Sequence, residues 1–327
     1  MAVGDSKAMF QREGVRLAYK TSVTATESTA WDYELRESSI FLPRPQQSLN
    51  TWGLSTSGIP GVSASQKTLG RVETDFQIVT PFTPAAWTIF GASLLQSVGV
   101  HDGTKHTIGP YTVPIQSTPI YLHMEGGIAS SEKGVHQVVG AICTSLGLSI
   151  PPVGSDLGRP MITAGFMAAN AADIDDFSAS SVTATDTAEP FTTSDITFKL
   201  DTTSKNFVGG NITIANAGSR SPNNGTTPDA MFRGMLTVTG DITVMRSGAT
   251  SDEYDLLLTA AAAKTVKEVS FVSGSPVCSI AADVNILPSP TDGEQNGMGL
   301  VTFPFEYAYV DTSSIQLIGT IAAITWS

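Results

Sequence analysis

The chain has 327 residues, of which 41% are apolar, so it is long enough for two hydrophobic cores and too apolar for wholesale disorder. Its net charge of −12, from 18 basic and 30 acidic residues, argues against a protein that grips nucleic acid or anionic lipid. Sparse charge with frequent Gly, Pro, Ser and Thr favours strands joined by turns over a helical bundle.

The first part of the chain predicts an arm followed by a β domain. Residues 1–30 have mixed polarity, no apolar signal-peptide core and a Ser/Thr tract, and we expect an N-terminal arm there. The first domain is predicted over residues 31–150, with a long polar connection at 44–66. Its clearest strand, GRVETDFQIV, alternates strictly: Val72, Thr74, Phe76 and Ile78 share one face, and Arg71, Glu73, Asp75 and Gln77 the other.

A helix is predicted directly after this strand, in TPAAWTIFGASLLQSV. Thr83 is suited to cap its first turn and Pro84 to occupy its first helical position. Two further strands are predicted near 120–125 and 135–150. Residues 151–188, rich in Pro, Gly, Ser and Asp, are predicted to be a linker.

The same order of elements is predicted again in a second domain, residues 189–327. A strand and a long connection precede LTVTGDITV, which alternates like the first strand. In that segment Leu236, Val238, Ile242 and Val244 share one face, and Thr237, Thr239, Asp241 and Thr243 the other. A helix is predicted at 251–266, followed by strands near 277–287, 298–310 and 315–324. The shared order indicates two tandem β-sandwich or barrel domains, each with a flanking helix.

Side chains that could carry chemistry are few and scattered. No nucleophile elbow, phosphate-binding loop or zinc-protease motif occurs. His123 and Glu125 alternate onto one strand face, but no third metal ligand is evident. Asp173, Asp175 and Asp176 lack the glycine and glutamate of a calcium loop. We therefore expect no catalytic residue, no metal and no cofactor.

Three segments resemble the tail tube (major tail) proteins of long-tailed, non-contractile bacteriophages. They are GRVETDFQIVTPFTPAAWTIFGASLL, YLHMEGGIASSEKGVHQVVGAICTSLGLSI and FKLDTTSKNFVGGNITIANAGSRSPNNGTTPDAMFRGMLTVTGDITV, which together cover most of residues 31–250. The resemblance implies a β fold whose domains form rings that stack into a tube for genome ejection. Two domains per chain imply a trimeric, pseudo-hexameric ring.

The resemblance also implies partners and a location. They are further copies of the chain, the tape measure, terminator and tail tip proteins, and genomic DNA that passes without specific binding. The protein is expected in the virion, after assembly in the host cytoplasm, with no membrane contact. The residues expected to line the channel are Glu73, Asp75, Gln77, Thr239, Asp241 and Thr243. An acidic, hydroxyl-rich wall would let DNA pass, because DNA binding needs Lys and Arg.

Two other classes remain open on the sequence alone. A two-domain β-sandwich adhesin or capsid decoration protein would also be acidic, rich in Thr and free of catalytic motifs. A β-rich glycosidase would need paired carboxylates on rigid elements, and the acids at 173–176 lie in the predicted linker. Particle shape distinguishes a tube from a binding module, and release of reducing sugar would reveal a glycosidase.

Overall fold

The structure is a computed structural model that describes residues 15–23, 31–35, 45–51, 67–109, 119–127, 135–152, 159–174, 181–221, 230–246, 253–274, 277–295, 297–308, 315–324 and 326. These residues form a mainly β protein with two α-helices, α1 (Pro84–Leu95) and α2 (Glu253–Ala263). The strands, in chain order, are β1 (Val15–Lys20), β2 (Trp31–Leu35), β3 (Pro45–Thr51), β4 (Lys67–Pro81), β5 (Val100–His101), β6 (Lys105–Ile108), β7 (Tyr121–Gly127), β8 (Val135–Ile150), β9 (Met161–Ile174), β10 (Val182–Thr185), β11 (Ile196–Leu200), β12 (Thr203–Lys205), β13 (Gly209–Asn216), β14 (Ser219–Arg220), β15 (Met231–Phe232), β16 (Leu236–Met245), β17 (Val266–Gly274), β18 (Val277–Ile286), β19 (Thr291–Gln295), β20 (Met298–Tyr307) and β21 (Ile315–Thr320). The predicted mainly β fold is confirmed.

Helix α1 begins where its capping residues predict. Thr83 is extended, and its hydroxyl oxygen accepts a hydrogen bond from the Ala86 amide at 3.4 Å. Pro84 occupies the first turn, and Gln96 ends the helix in the left-handed conformation with φ of 50°. Every residue of α1 is buried, so the helix lies inside the protein.

Helix α2 is more exposed than α1. Glu253 and Asp255 lie in its first turn, where carboxylates favour the positive end of the helix dipole. Only Leu257, Ala260 and Ala261 of this helix are buried. Ser251, where this helix is predicted to begin, lies outside the described residues.

Two sets of antiparallel strands have the same connectivity. Set A runs in the order β2, β1, β7, β8, β9, β4, β3. Set B runs in the order β12, β11, β17, β18, β20, β16, β13. Strand β19 also belongs to set B and pairs with β20 next to the place where β18 pairs with it. In each set a helix follows the strand in the next-to-last place, α1 after β4 and α2 after β16. The two sets therefore share one order of elements, and the division into two tandem domains stays a prediction.

The two sets join through β8 and β13. The amino-terminal half of β8 pairs with β7, and its carboxy-terminal half pairs antiparallel with β13, where Leu148 lies opposite Ile212. One hydrophobic core extends through both sets. The Trp87 indole of α1 donates to the Ser279 carbonyl of β18 at 3.3 Å, which ties the first helix to set B.

Two predicted segments are corrected by the structure. Residues 15–20 of the expected arm form β1, which pairs with β7 along its whole length. The expected linker, 151–188, contains β9 in the centre of set A and β10, which pairs parallel with β2. Glycine, alanine and asparagine in β9 hid its strand character, because these residues have low β propensity. The domain limits at 150 and 189 stay predictions.

Candidate functional site

The six residues predicted to line a channel lie on one face of one continuous sheet. Glu73, Asp75 and Gln77 are on β4, and Thr239, Asp241 and Thr243 are on β16, with β9, β8 and β13 between the two strands. Antiparallel partners directly opposite each other point to the same side of a sheet. The registers therefore place all six residues on the same side.

One cross-strand row shows this continuity. From β4 to β20 the partners are Val79, Thr163, Gly147, Thr213, Thr239 and Glu306. Each of these residues is at least partly exposed. We call the surface that carries this row the polar face. On these six strands it comprises Glu73, Asp75, Gln77, Val79, Ser145, Gly147, Ser149, Met161, Thr163, Gly165, Met167, Asn211, Thr213, Ala215, Thr237, Thr239, Asp241, Thr243, Thr302, Pro304 and Glu306.

The polar face carries mostly negative charge. The residues named above include the acids Glu73, Asp75, Asp241 and Glu306 and no Lys or Arg, whereas the alternation of β4 assigns Arg71 to the same face and Arg220 reaches Asp75 from outside the six strands. The opposite face of the same strands is apolar and buried, with Ile212 and Phe303 fully covered. The sheet thus presents a hydroxyl-rich, acidic surface on one side and forms the core with the other.

Asp241 is the most perturbed acid of the polar face. Burial raises the pKa of its carboxyl above the ordinary value, while hydrogen bonds from Asn211 lower it and offset part of that shift. The Asn211 side-chain amide donates directly to the Asp241 carboxylate from the neighbouring strand. Two positions along β16, the hydroxyls of Thr243 and Thr302 lie 2.9 Å apart. These cross-strand hydrogen bonds hold the polar side chains of β13, β16 and β20 in place.

Asp75 differs from the other acids because an arginine reaches it. Arg220 Nη2 lies 2.5 Å from Asp75 Oδ1 and donates to the Thr74 carbonyl at 3.0 Å. Arg220 belongs to the β14–β15 hairpin, a part of the connection between β13 and β16. The Asp75 side chain stays 69% exposed, so this ion pair contributes at most about 1 kcal/mol.

The same hairpin covers one end of the polar face. Met231 of β15 packs in a buried cluster with Tyr121, Ile142 and Met167. Ile142 and Met167 are cross-strand partners, and Met167 also lies opposite Asp75. The face is therefore apolar and covered beside Asp75 and open along the row that ends at Glu306.

Sequence reasoning missed several residues of this face, above all Glu306, Thr213 and Thr163. Glu306 and Thr213 each lie in an alternating segment, VTFPFEY and NITIAN, and that period could have placed them. Thr163 could not have been found in this way, because its segment was assigned to a linker.

The other titratable side chains have structural surroundings. Burial lowers the pKa of His123 to about 4, and Glu125 is fully buried with Arg16 Nη1 3.9 Å from its carboxylate. Burial also raises the pKa of the Cys143 and Cys278 thiols. No group of three metal-ligating side chains occurs in the described part of the chain. The same part contains no helix that is long and apolar enough to cross a membrane.

The fold and the polar face define a mainly β protein built on one extended sheet with an acidic surface. Comparison with protein families identifies it more closely. The family model for the phage tail tube protein matches residues 17–307, and the chain belongs to this family. The search of curated proteins finds no match.

Proposed function

We propose that copies of this chain form rings that stack into the tail tube of a long-tailed, non-contractile phage, with the polar face lining the channel through which the genome leaves. The observation that carries the proposal is the row from Val79 to Glu306, which crosses six strands without a basic residue. Membership of the tail tube family supports the structural role.

The chemistry of the polar face suits passage of DNA better than binding. Proteins hold DNA by neutralising phosphates with Lys and Arg, which releases counterions. Carboxylates repel phosphate, and threonine hydroxyls offer weak hydrogen bonds that water readily replaces. A double-stranded genome would slide along such a wall without a preferred stopping place.

The matched strand sets support a ring with approximate six-fold symmetry. Sets A and B have the same connectivity and lie side by side in one sheet, so three chains would present six similar units. In this arrangement the chain is a non-enzymatic virion protein that assembles in the host cytoplasm. Its partners would be further copies of itself and the tape measure, terminator and tail tip proteins.

Electron microscopy of the purified protein tests assembly directly. We expect hollow, stacked rings in negative stain after the protein is concentrated. Discrete monomers that never polymerise would instead support the two-domain adhesin or decoration protein. Release of reducing sugar from a polysaccharide by the same preparation would support a glycosidase.

Charge reversal on the polar face tests the channel assignment. Glu306 is exposed and ends the open row, so Glu306→Lys should leave tubes intact and slow DNA delivery in phage carrying the variant. Glu189→Lys makes the same change at an exposed residue that lies outside the six strands of the polar face. Equal infectivity and equal ejection rates for the two variants would refute the assignment.

A further inference from the structure

The contact between sets A and B is a template for a contact between chains. Within one chain, β13 of set B adds to the edge of β8 in set A. The strand of set A that corresponds to β13 is β3, and the strand of set B that corresponds to the paired half of β8 is β19. We propose that β3 of one copy pairs antiparallel with β19 of the next copy, and that α2 packs against that next copy. The inference rests on the proposed ring and specifies its interface.

Both strands have an edge available for this pairing. In the described residues, β3 pairs with β4 only, and β19 pairs with β20 only. An open strand edge presents unpaired backbone amides and carbonyls, which favours addition of another strand. These two strands stand at opposite ends of the path β3, β4, β9, β8, β13, β16, β20, β19, so each copy could join two neighbours.

The internal ladder also predicts the register. When Asp75 is aligned with Asp241, Glu73 of β4 becomes equivalent to Thr239 of β16. Gln46 lies opposite Glu73 and Thr213 lies opposite Thr239, so Gln46 is equivalent to Thr213. The same alignment makes Gly293 equivalent to Gly147. Thr213 lies opposite Gly147 within the chain, so Gln46 should lie opposite Gly293 of the next copy.

Helix α1 is fully buried and helix α2 is partly exposed, as expected if the next copy covers α2 in the ring. Helix α1 is covered by β21, which pairs with β18 of set B, and an added Cβ at Gly91 would meet the side chain of Leu317 in β21 at 3.3 Å. Helix α2 has no such cover in the described residues. Its Leu256 is 38% exposed and its Leu258 is 39% exposed. Val266, just after the helix, is 40% exposed, so this part of the surface has several apolar side chains facing water.

The carboxy-terminal end of α1 shows how the second set holds a helix of the first. Arg233 Nη1 donates to the Leu95 carbonyl at 2.5 Å, and Asn216 Nδ2 donates to the Leu94 carbonyl at 3.0 Å. Neither α1 nor α2 has a basic residue in its own last turn.

Disulfide cross-linking tests the strand pairing. Two single variants, Gln46→Cys and Gly293→Cys, are mixed, assembled and oxidised. Directly opposite residues of antiparallel strands have Cα atoms about 4.5–5.5 Å apart, which suits a disulfide. An added Cβ at Gly293 meets no atom within 4 Å, and the native Cys143 and Cys278 are buried. We expect a covalent dimer that contains one chain of each variant.

The control is a mixture of Gln46→Cys with Glu294→Cys. Glu294 is the next residue along β19, so its side chain points to the other face of the sheet and no dimer should form. A dimer from Gln46→Cys with Thr291→Cys would support the same pairing with the register shifted by two residues. Tubes that form normally but give none of these dimers would overturn the inference and leave the proposed function intact. Absence of any assembly would count against the proposed function itself.

Substitution on α2 tests the second part of the interface. Leu256→Asp should leave the circular dichroism spectrum and monomer stability unchanged, because the side chain is already exposed. It should raise the concentration needed for assembly by about tenfold or more, as expected for an apolar contact at an interface. Val100→Asp, at an apolar residue with 71% exposure on β5, is the matched control. Equal assembly of the two variants would exclude α2 from the interface.

Discussion

Replacement of Arg233 by methionine should weaken the junction between the two strand sets more than any exposed charge substitution. Arg233 is 8% exposed, and its guanidinium donates to the last turn of α1 at the Leu95 carbonyl. Methionine keeps much of the apolar stem but removes the cation and the donor. The Leu95 carbonyl then loses this hydrogen bond at the negative end of the helix dipole.

The magnitude follows from two contributions. A hydrogen bond to a charged group is worth about 1.5–3 kcal/mol, and a cation at a helix carboxy terminus adds about 0.3–1 kcal/mol. The cost of desolvating the guanidinium in the native protein offsets part of this gain. We therefore expect Arg233→Met to lower the free energy of unfolding by about 1–3 kcal/mol.

Urea unfolding of unassembled protein, followed by tryptophan fluorescence, measures this loss. Trp87 reports on the junction, because it is buried in α1 and bonded to Ser279 of set B. Arg246→Met is the control, since Arg246 is 59% exposed and lies 3.9 Å from the Asp292 carboxylate, a pair worth at most about 1 kcal/mol. Equal unfolding free energies for the two variants would refute the role of Arg233 in holding α1.

Three further changes test the polar face and the core. Burial raises the pKa of folded Asp241, so ionisation of this carboxyl lowers the stability of the fold as the pH rises from the ordinary pKa of 3.8 through the folded pKa. Asp241→Asn removes this ionisation, and its side-chain oxygen can still accept a hydrogen bond from Asn211. In urea titrations at several pH values, the variant should therefore gain stability over the wild type across this pH window and show no gain below it. Gly240→Ala should destabilise the fold by about 1–3 kcal/mol in the same assay, because the added Cβ would overlap the Asn211 carbonyl oxygen and lie 2.5 Å from the ring of Phe305. The Cys143 thiol should react with Ellman's reagent only as fast as the protein unfolds, and rapid labelling of native protein would contradict its burial.

Elements with strong local signals could be predicted from the sequence. The alternation in β4 and β16 predicts both strands and the side of each residue, and it places Glu73 and Thr239 on the polar sides of their strands. The Thr83–Pro84 pair located the start of α1 to the residue. These features depend on neighbours within a few positions, which a sequence displays directly.

The elements that escaped prediction depend on distant partners. Strand β9 lies between β4 and β8 and is covered on part of its outer side by Met231, so it needs neither alternation nor bulky side chains. Strand β1 lies between β2 and β7, and its ladder with β7 joins residues about a hundred positions apart. The sequences of β1 and β9 show little alternation of their own, so the composition of each segment misleads.

The union of the two strand sets depends on a change of partner along β8. The ladder from β8 to β9 is irregular between Cys143 and Ser145, and β8 pairs with β7 before this point and with β13 after it. At the change, the Cys143 amide donates to the Ser93 hydroxyl of α1 at 2.9 Å. A bulge bends a strand and redirects it. The helix therefore supports the strand where it leaves one partner for the other, because Ser93 satisfies the buried Cys143 amide at that point.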